Sequence, residues 1–246
     1  MILAILQARM SSQRLPKKVL KQILGEPMLA HQIRRIRASK KIDKLVIATS
    51  DQIDDSALVA FAQEYQVEVF QGSLNDVLAR FYHCASHYKA THIVRLTGDC
   101  PLSDAKIIDN TIALHINQKA DYSSNCHPAT FADGFDVEVI TFDALQQAYY
   151  QAQEQKMREH VTLYLAKSPD AFVQANLTTS PDTSHFRVTV DNQDDFELVS
   201  QIYQSMSEQG KDFTYQEIID WLNAHPKQSG INAHYQRNEA ISVCHK

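Results

Sequence analysis

Short apolar, β-branched runs alternate with helix-spaced apolar positions along most of this chain. Ile2-Leu-Ala-Ile-Leu6 opens the series and predicts a buried strand over residues 2–8. Further strands are expected at 45–50, 67–70 and 92–97. Between them, Met28, Leu29, Ile33 and Ile36 share one face of a helix entered at Pro27. Asp51 to Asp55 offer caps for a helix reaching about Tyr65, and two more helices fit about Leu74–Tyr88 and 104–118. Such strand–helix alternation implies an α/β fold with a mainly parallel sheet and helices on both faces.

The rhythm breaks after residue 120. A polar, turn-rich stretch ends in a strand-like segment at 136–141, and helices follow near 143–154 and 157–167. A late strand is expected at 186–191, then amphipathic helices near 194–208 and 214–223. One domain over 1–225 accounts for the pattern, with an inserted lobe at about 120–185 that covers the site or makes a dimer contact. The tail, 226–246, has little periodicity and reads as an arm.

A chain of 246 residues can build one large α/β domain. Its net charge of −5 argues against a whole-surface nucleic-acid binder. No apolar run approaches a membrane span, and the first residues lack the order of a signal peptide. A cytoplasmic protein is expected. Cys84, Cys100, Cys126 and Cys244 are scattered without metal-ligand spacing, so reduced thiols are expected.

Against this acidic background, residues 1–25 carry Arg9, Arg14, Lys17, Lys18 and Lys21 and no carboxylate. A basic loop leaving the carboxyl end of the first strand stands where open α/β sheets bind ligands, and it suits a nucleoside triphosphate. The loop has no glycine-rich phosphate motif, so charge must do most of the holding: Arg as a fork, Lys as a point charge, with Ser11 and Ser12 filling acceptors. A solvated basic loop is the plainer reading.

Carboxylates stand at two strand ends. Asp99, in Thr97-Gly-Asp-Cys-Pro101, and Asp191, in Arg187-Val-Thr-Val-Asp191, can meet over one sheet edge and hold Mg²⁺. Each could instead cap the helix that follows it. Asp136 and Glu138 alternate onto one strand face, suiting a hydroxyl-rich substrate or solvent. Met157-Arg-Glu-His-Val-Thr162 offers Arg158 and His160 as sugar contacts, helix caps or interface groups.

These stretches, in this order, resemble the SpsF-type cytidylyltransferases, related to the acylneuraminate and Kdo cytidylyltransferases. The likeness runs through Gln7–Leu20, Val46–Ser50, Asp76–Tyr82, Val94–Leu102, Ala120–Asn125, Asp133–Val139, Arg158–Thr162 and Arg187–Asp191, and on to Arg237-Asn-Glu239. It implies a Rossmann-like nucleotide-diphospho-sugar transferase fold, often dimeric. By position, Leu6, Ala8, Arg9 and Thr97 line the nucleotide pocket. Arg9 and Lys18 hold the triphosphate with Ser11, Ser12 and Arg14. Asp99 and Asp191 are the metal aspartates, and 133–138 and 158–160 face the sugar or a partner subunit. Lys17 departs from a frequent Gly, and Gln71-Gly72 from a frequent Arg-Gly. The implied reaction is CTP + acidic sugar → CMP-sugar + pyrophosphate, with Mg²⁺, in surface-polysaccharide synthesis.

Two other functions remain open on the sequence. A glycosyltransferase of related fold usually shows an Asp-x-Asp pair, and here Pro101 follows Asp99-Cys100. A non-catalytic nucleotide-binding subunit has no need of Arg9, Lys18, Asp99 and Asp191 together.

Overall fold

In a computed structural model describing residues 1–207 and 212–237, the apolar runs form a seven-stranded sheet. In chain order, β1 (Ile2–Gln7) is followed by a small antiparallel hairpin, β2 (Gln22–Ile23) and β3 (Glu26–Pro27), and by α1 (Met28–Arg37). Next come β4 (Lys44–Ser50), α2 (Ser56–Glu64), β5 (Glu68–Gly72), α3 (Val77–His87), β6 (His92–Thr97) and α4 (Ala105–Gln118). The pairs β5·β4, β4·β1 and β1·β6 are all parallel. Central β1 buries Leu3 to Leu6 completely because strands flank it and helices cover both faces.

Alternation along β1 divides the core. Ala4 and Leu6 pack with α1, α2 and α4, whereas Leu3 and Ile5 pack with α3 on the other face. The helix starts are fixed locally. Asp76 accepts from Ala79 N–H, and Asp104 accepts from Lys106 and Ile107 N–H. Asp104, not Asp99, therefore caps α4, and Asp99 is left for other work.

β7 (Tyr122–Ser124) and β8 (Glu138–Thr141) extend the sheet beyond β6, with β8 antiparallel to both β6 and β7. α5 (Phe142–Gln151) packs Ala144, Leu145 and Ala148 into the core on the α3 side. The single helix expected at 157–167 is two short ones, α6 (Gln155–Glu159) and α7 (Leu163–Ala166). The break turns His160 out of helical geometry and buries Val161 beside α5. β9 (Gln174–Asn176) adds a parallel edge strand to β7.

The late strand expected at 186–191 is not a sheet strand. Val188 and Val190 are fully buried, but the segment bonds to loops: Val188 and Thr189 N–H to Asp133 O, and Val190 N–H to Asp99 O. Only one bridge, Asp133 to Arg187, has strand character. Gly134 permits this contact, with φ +114° and no room for a Cβ, which would lie 2.6 Å from Thr189 N.

α8 (Gln193–Ser207) and α9 (Tyr215–Ala224) close the core on the α1 side. Thr214 and Glu217 form a reciprocal capping box on α9. After α10 (Pro226–Ser229), residues up to Arg237 pack back on the molecule. Asn232 is fully buried and bonds Asp195 and the Arg187 carbonyl. Asn238 and Glu239, which carry part of the tail's family likeness, lie outside the described residues, as does Cys244. Among the described residues, no helix is long and apolar enough to cross a membrane.

Candidate active site

Two joined cavities open at the carboxyl ends of β1 and β6. One, of about 500 Å³, is lined by Ala8, Arg9, Ser12, Arg14, Lys18 and Gly98. The other, of about 350 Å³, is lined by Cys126, Asp133, Asp136, Glu138, His160 and Arg187. Arg14, Arg95, Thr97, Asp99 and Asp191 border both. A cation-lined chamber thus meets a carboxylate-lined chamber at Asp99 and Asp191.

The basic loop is held by backbone geometry. Lys17 N–H bonds the Met10 carbonyl, closing the loop on itself. Lys17 then takes φ 58°, a left-handed conformation easier for glycine, and the short 3₁₀ turn Lys18–Leu20 points Lys18 inward. Gly98 lets β6 approach the loop root: a Cβ there would sit 3.1 Å from Ala8 Cβ and 3.2 Å from Gln7 O.

Lys18 joins the two aspartates. Its ammonium donates to Asp191 Oδ1 at 2.9 Å, Asp99 Oδ2 at 3.2 Å and the Val190 carbonyl at 2.8 Å. Burial opposes the Lys18 charge, yet the two carboxylates raise its pKa above the ordinary value. Burial likewise opposes ionisation of Asp99, but Lys18 and the Thr97 hydroxyl bring it down to about 2. Both groups are therefore charged at neutral pH.

Arg187 organises the floor. It donates to Asp133 at 2.8 Å, Asp191 at 2.9 Å and Asp195 at 3.0 Å. Arg14 adds a second guanidinium to Asp191 at 3.0 Å. In the carboxylate chamber, Arg95 and Glu138 face each other across β6 and β8 and are hydrogen-bonded, with Tyr122 also donating to Glu138. Arg237 returns from the C-terminal segment to bond Asp136 and the Phe131 carbonyl. Burial raises the pKa of Asp136, and burial with the nearby Asp136 charge raises Asp133 to about 7.

Most sequence-derived candidates converge here. Ala8, Arg9, Ser12, Arg14, Lys18, Thr97, Asp99 and Asp191 all border the first chamber, and Asp136, Glu138 and His160 border the second. Three do not. The Leu6 side chain is fully buried because alternation turns it into the core on the face covered by α1, α2 and α4. Ser11 is exposed and borders neither chamber. Arg158 is anchored to the Asp76 carboxylate at the start of α3 and to the Tyr149 carbonyl, which removes it from the chamber.

Asp133, within the 133–138 stretch expected to face the sugar or a partner subunit, borders the second chamber. The sequence did not single out Arg95, Arg187, Asp195, Asn232 and Arg237 as side chains of the site. Arg95 and Arg187 do carry a signal, since each is a charge inside an apolar run and so needs a partner. The partners of Arg237 lie far off in sequence, 101 residues away for Asp136 and 106 for the Phe131 carbonyl.

Asp99 and Asp191 also pass a chemical test as a hard-cation site. They face one point together with the Val190 carbonyl, an all-oxygen set. No cluster of three or more His, Cys, Asp or Glu side chains suited to a metal occurs among the described residues. Two carboxylates completed by substrate phosphates and water match the usual demand of Mg²⁺.

The geometry has sequence and structural counterparts. Residues 3–225 match the family model described as cytidylyltransferase. This chain belongs to the cytidylyltransferase family. It is 36% identical over 233 residues to the spore coat polysaccharide biosynthesis protein SpsF of Bacillus subtilis, covering 92% of this chain and 95% of that one. An uncharacterised protein of Methanocaldococcus jannaschii is 34% identical over 244 residues, covering 98% of both chains. A 3-deoxy-manno-octulosonate cytidylyltransferase of Geobacter metallireducens matches over 112 residues at 33% identity, 46% of this chain and 43% of that one. Among solved structures, a cytidylyltransferase from Leptospira borgpetersenii superposes with a TM-score of 0.88 at 28% identity, covering 97% of this chain and 99% of that one. The CMP:2-keto-3-deoxy-manno-octonic acid synthetase structure, with a TM-score of 0.62 at 16% identity over 83% of this chain and 99% of that one, shares the fold. The cytidylyltransferase family is thus built here on a Rossmann-like nucleotidyltransferase sheet.

Proposed function

We propose that this enzyme transfers CMP from CTP to a sugar hydroxyl with release of pyrophosphate, and that an acidic sugar of the nonulosonic type is the first acceptor to consider. One observation carries the reading: the cation-lined chamber and the carboxylate-lined chamber share Asp99 and Asp191 as their border. A triphosphate in the first chamber and a polyhydroxylated acceptor in the second bring the α-phosphorus and the attacking hydroxyl to that border. The names of the Geobacter and Bacillus relatives support a CMP-sugar product and a place in polysaccharide synthesis. A cytoplasmic homodimer belongs to the same proposal, the dimer on the family resemblance.

In this mechanism the chain's own residues chiefly position and neutralise. Arg9, Lys18 and Arg14 hold the triphosphate, and their charge stabilises the departing pyrophosphate. Ala8 and Thr97 border the nucleotide, and Ser12 offers a hydroxyl. Asp99 and Asp191 are the residues to hold Mg²⁺. When bound, that ion supplies Lewis-acid stabilisation of phosphate charge. Asp136, Glu138 and His160 accept or donate hydrogen bonds to acceptor hydroxyls, fixing one of them in line with the α-phosphorus.

The charges of the second chamber favour a second reading of the acceptor. Arg95 faces Glu138, Arg187 faces Asp133 and Asp191, and Arg237 faces Asp136. Each guanidinium is already neutralised by a carboxylate, which suits a neutral or amino sugar better than a carboxylate-bearing one.

Pyrophosphate release with CTP, Mg²⁺ and matched acidic, neutral and amino sugars decides both points. Release with an acidic sugar alone supports the first acceptor, and release with a neutral or amino sugar supports the second. CTP binding without release from any sugar, at enzyme concentrations sufficient for a single turnover, counts against catalysis.

A further inference from the structure

The ammonium of Lys18 stands where two carboxylates and a carbonyl converge. Its nitrogen lies 2.9 Å from Asp191 Oδ1, 3.2 Å from Asp99 Oδ2 and 2.8 Å from the Val190 carbonyl oxygen. These are the same oxygens that suit a hard divalent cation. Resting on the CTP-dependent reading above, we infer that Lys18 occupies the divalent-cation position in the nucleotide-free enzyme and must vacate it before Mg²⁺ binds, so metal and nucleotide load together rather than metal first.

Two facts make the positions mutually exclusive. Magnesium binds oxygen at about 2.0–2.1 Å. A Mg²⁺ bound by Asp99 Oδ2 and Asp191 Oδ1 takes the same two oxygens that hold the Lys18 ammonium, and two cations that close repel each other. Asp191 has no alternative oxygen to offer, since its Oδ2 already accepts from Arg14 at 3.0 Å and Arg187 at 2.9 Å. Its Oδ1 is released only when Lys18 leaves.

Lys18 also has somewhere to go. It borders the cation-lined chamber with Arg9 and Ser12, where the triphosphate is proposed to bind. Its side chain is 11% exposed, and Asp99 and Asp191 are 28% and 21% exposed, so the exchange takes place at the chamber wall rather than in the core. An arriving phosphate oxygen replaces the carboxylates as partner, and the ammonium keeps a charge-assisted hydrogen bond throughout. Removal of Lys18 then has opposite effects on the two ligands: weaker triphosphate binding and stronger metal binding.

The test is Mn²⁺ binding without nucleotide, read by electron paramagnetic resonance of the free ion. Lys18→Met is expected to bind one Mn²⁺ at least tenfold more tightly than the parent protein, and Lys18→Arg to remain as weak as the parent. Adding Asp99→Asn to Lys18→Met should abolish the gain and so locate it. Equal or weaker Mn²⁺ binding by Lys18→Met overturns the inference. Because that variant leaves two carboxylates facing each other, its melting temperature is followed as well, and Mn²⁺ should raise it further than in the parent. A Lys18→Met chain that stays unfolded in millimolar Mn²⁺ also overturns the inference, since the ion then cannot stand in for the ammonium. Pyrophosphate release from CTP by the parent protein reports the underlying function separately, so either reading can fail alone.

Discussion

The buried carboxylate of Asp55 accepts the backbone N–H of Met10 at 2.7 Å, tying the basic loop to the end of β4. The same carboxylate accepts from Thr49 Oγ1 at 2.9 Å, from Ser50 N–H at 3.0 Å and from the Ser50 hydroxyl. Burial opposes its charge, but these donors hold its pKa below the ordinary carboxylate range. Asp55→Ala leaves several buried donors unmatched and should cost about 2–4 kcal/mol, since hydrogen bonds to charged groups contribute about 1.5–3 kcal/mol each. With the loop root loosened, kcat/KM for CTP should fall on the order of tenfold or more. Urea unfolding and initial-rate kinetics check both; a stability loss with unchanged CTP kinetics shows that Asp55 serves the fold alone.

Asp99 contributes little to packing and much to the site's electrostatics. Asp99→Asn should reduce turnover on the order of 10²–10³, as removal of a major electrostatic stabiliser does. Its melting temperature should stay near that of the parent. Turnover close to the parent's removes Asp99 from the catalytic machinery.

Arg158 answers differently. It bonds the Asp76 carboxylate at 2.5 and 3.1 Å, and Asp76 in turn caps α3. Arg158→Ala is expected to destabilise the enzyme by about 1–3 kcal/mol through a lost charged hydrogen bond. KM for the sugar should change less than threefold. A double-mutant cycle with Asp76→Asn measures the coupling, and a large acceptor KM effect without coupling would restore Arg158 to sugar binding.

His115, buried at α4, pairs its Nδ1 with Ser123 Oγ at 2.9 Å. Burial, helped by the His92 charge, lowers its pKa from about 6.5 to about 4. Because the folded pKa is depressed, its contribution is present above pH 6.5 and is lost as pH falls towards 4. At ~1.4 kcal/mol per pKa unit the loss is on the order of 3 kcal/mol. Chemical denaturation across this window should show the decline, and His115→Gln should flatten it. An equal slope in both proteins contradicts the assignment.

The parallel half of the sheet was legible because Leu3–Leu6, Val46–Ala48 and Ile93–Val94 are continuous apolar runs, the mark of strands buried on both faces. The strand-end aspartates and the basic loop were legible because charge beside such runs has few structural uses. Residues 186–191 misled by composition: Val188 and Val190 are buried as in a strand, but their backbone partners are the loops at Asp99 and Asp133. Periodicity reports burial, not the identity of the hydrogen-bonding neighbour. The C-terminal segment was less legible still. Asn232 and Arg237 act through long-range bonds, to Asp195 and the Arg187 carbonyl and to Asp136 and the Phe131 carbonyl, and no local pattern records those.

The central claim is cytidylyl transfer at the border of the two chambers, and the most direct measurement follows the label of CTP. With Mg²⁺ and a competent sugar, α-labelled CTP should place its label in a sugar-linked product, and γ-labelled CTP should place its label in pyrophosphate. ATP, GTP and UTP should give neither product at a comparable rate. Label from the γ-position appearing as orthophosphate, or equal use of another nucleotide, would contradict the account.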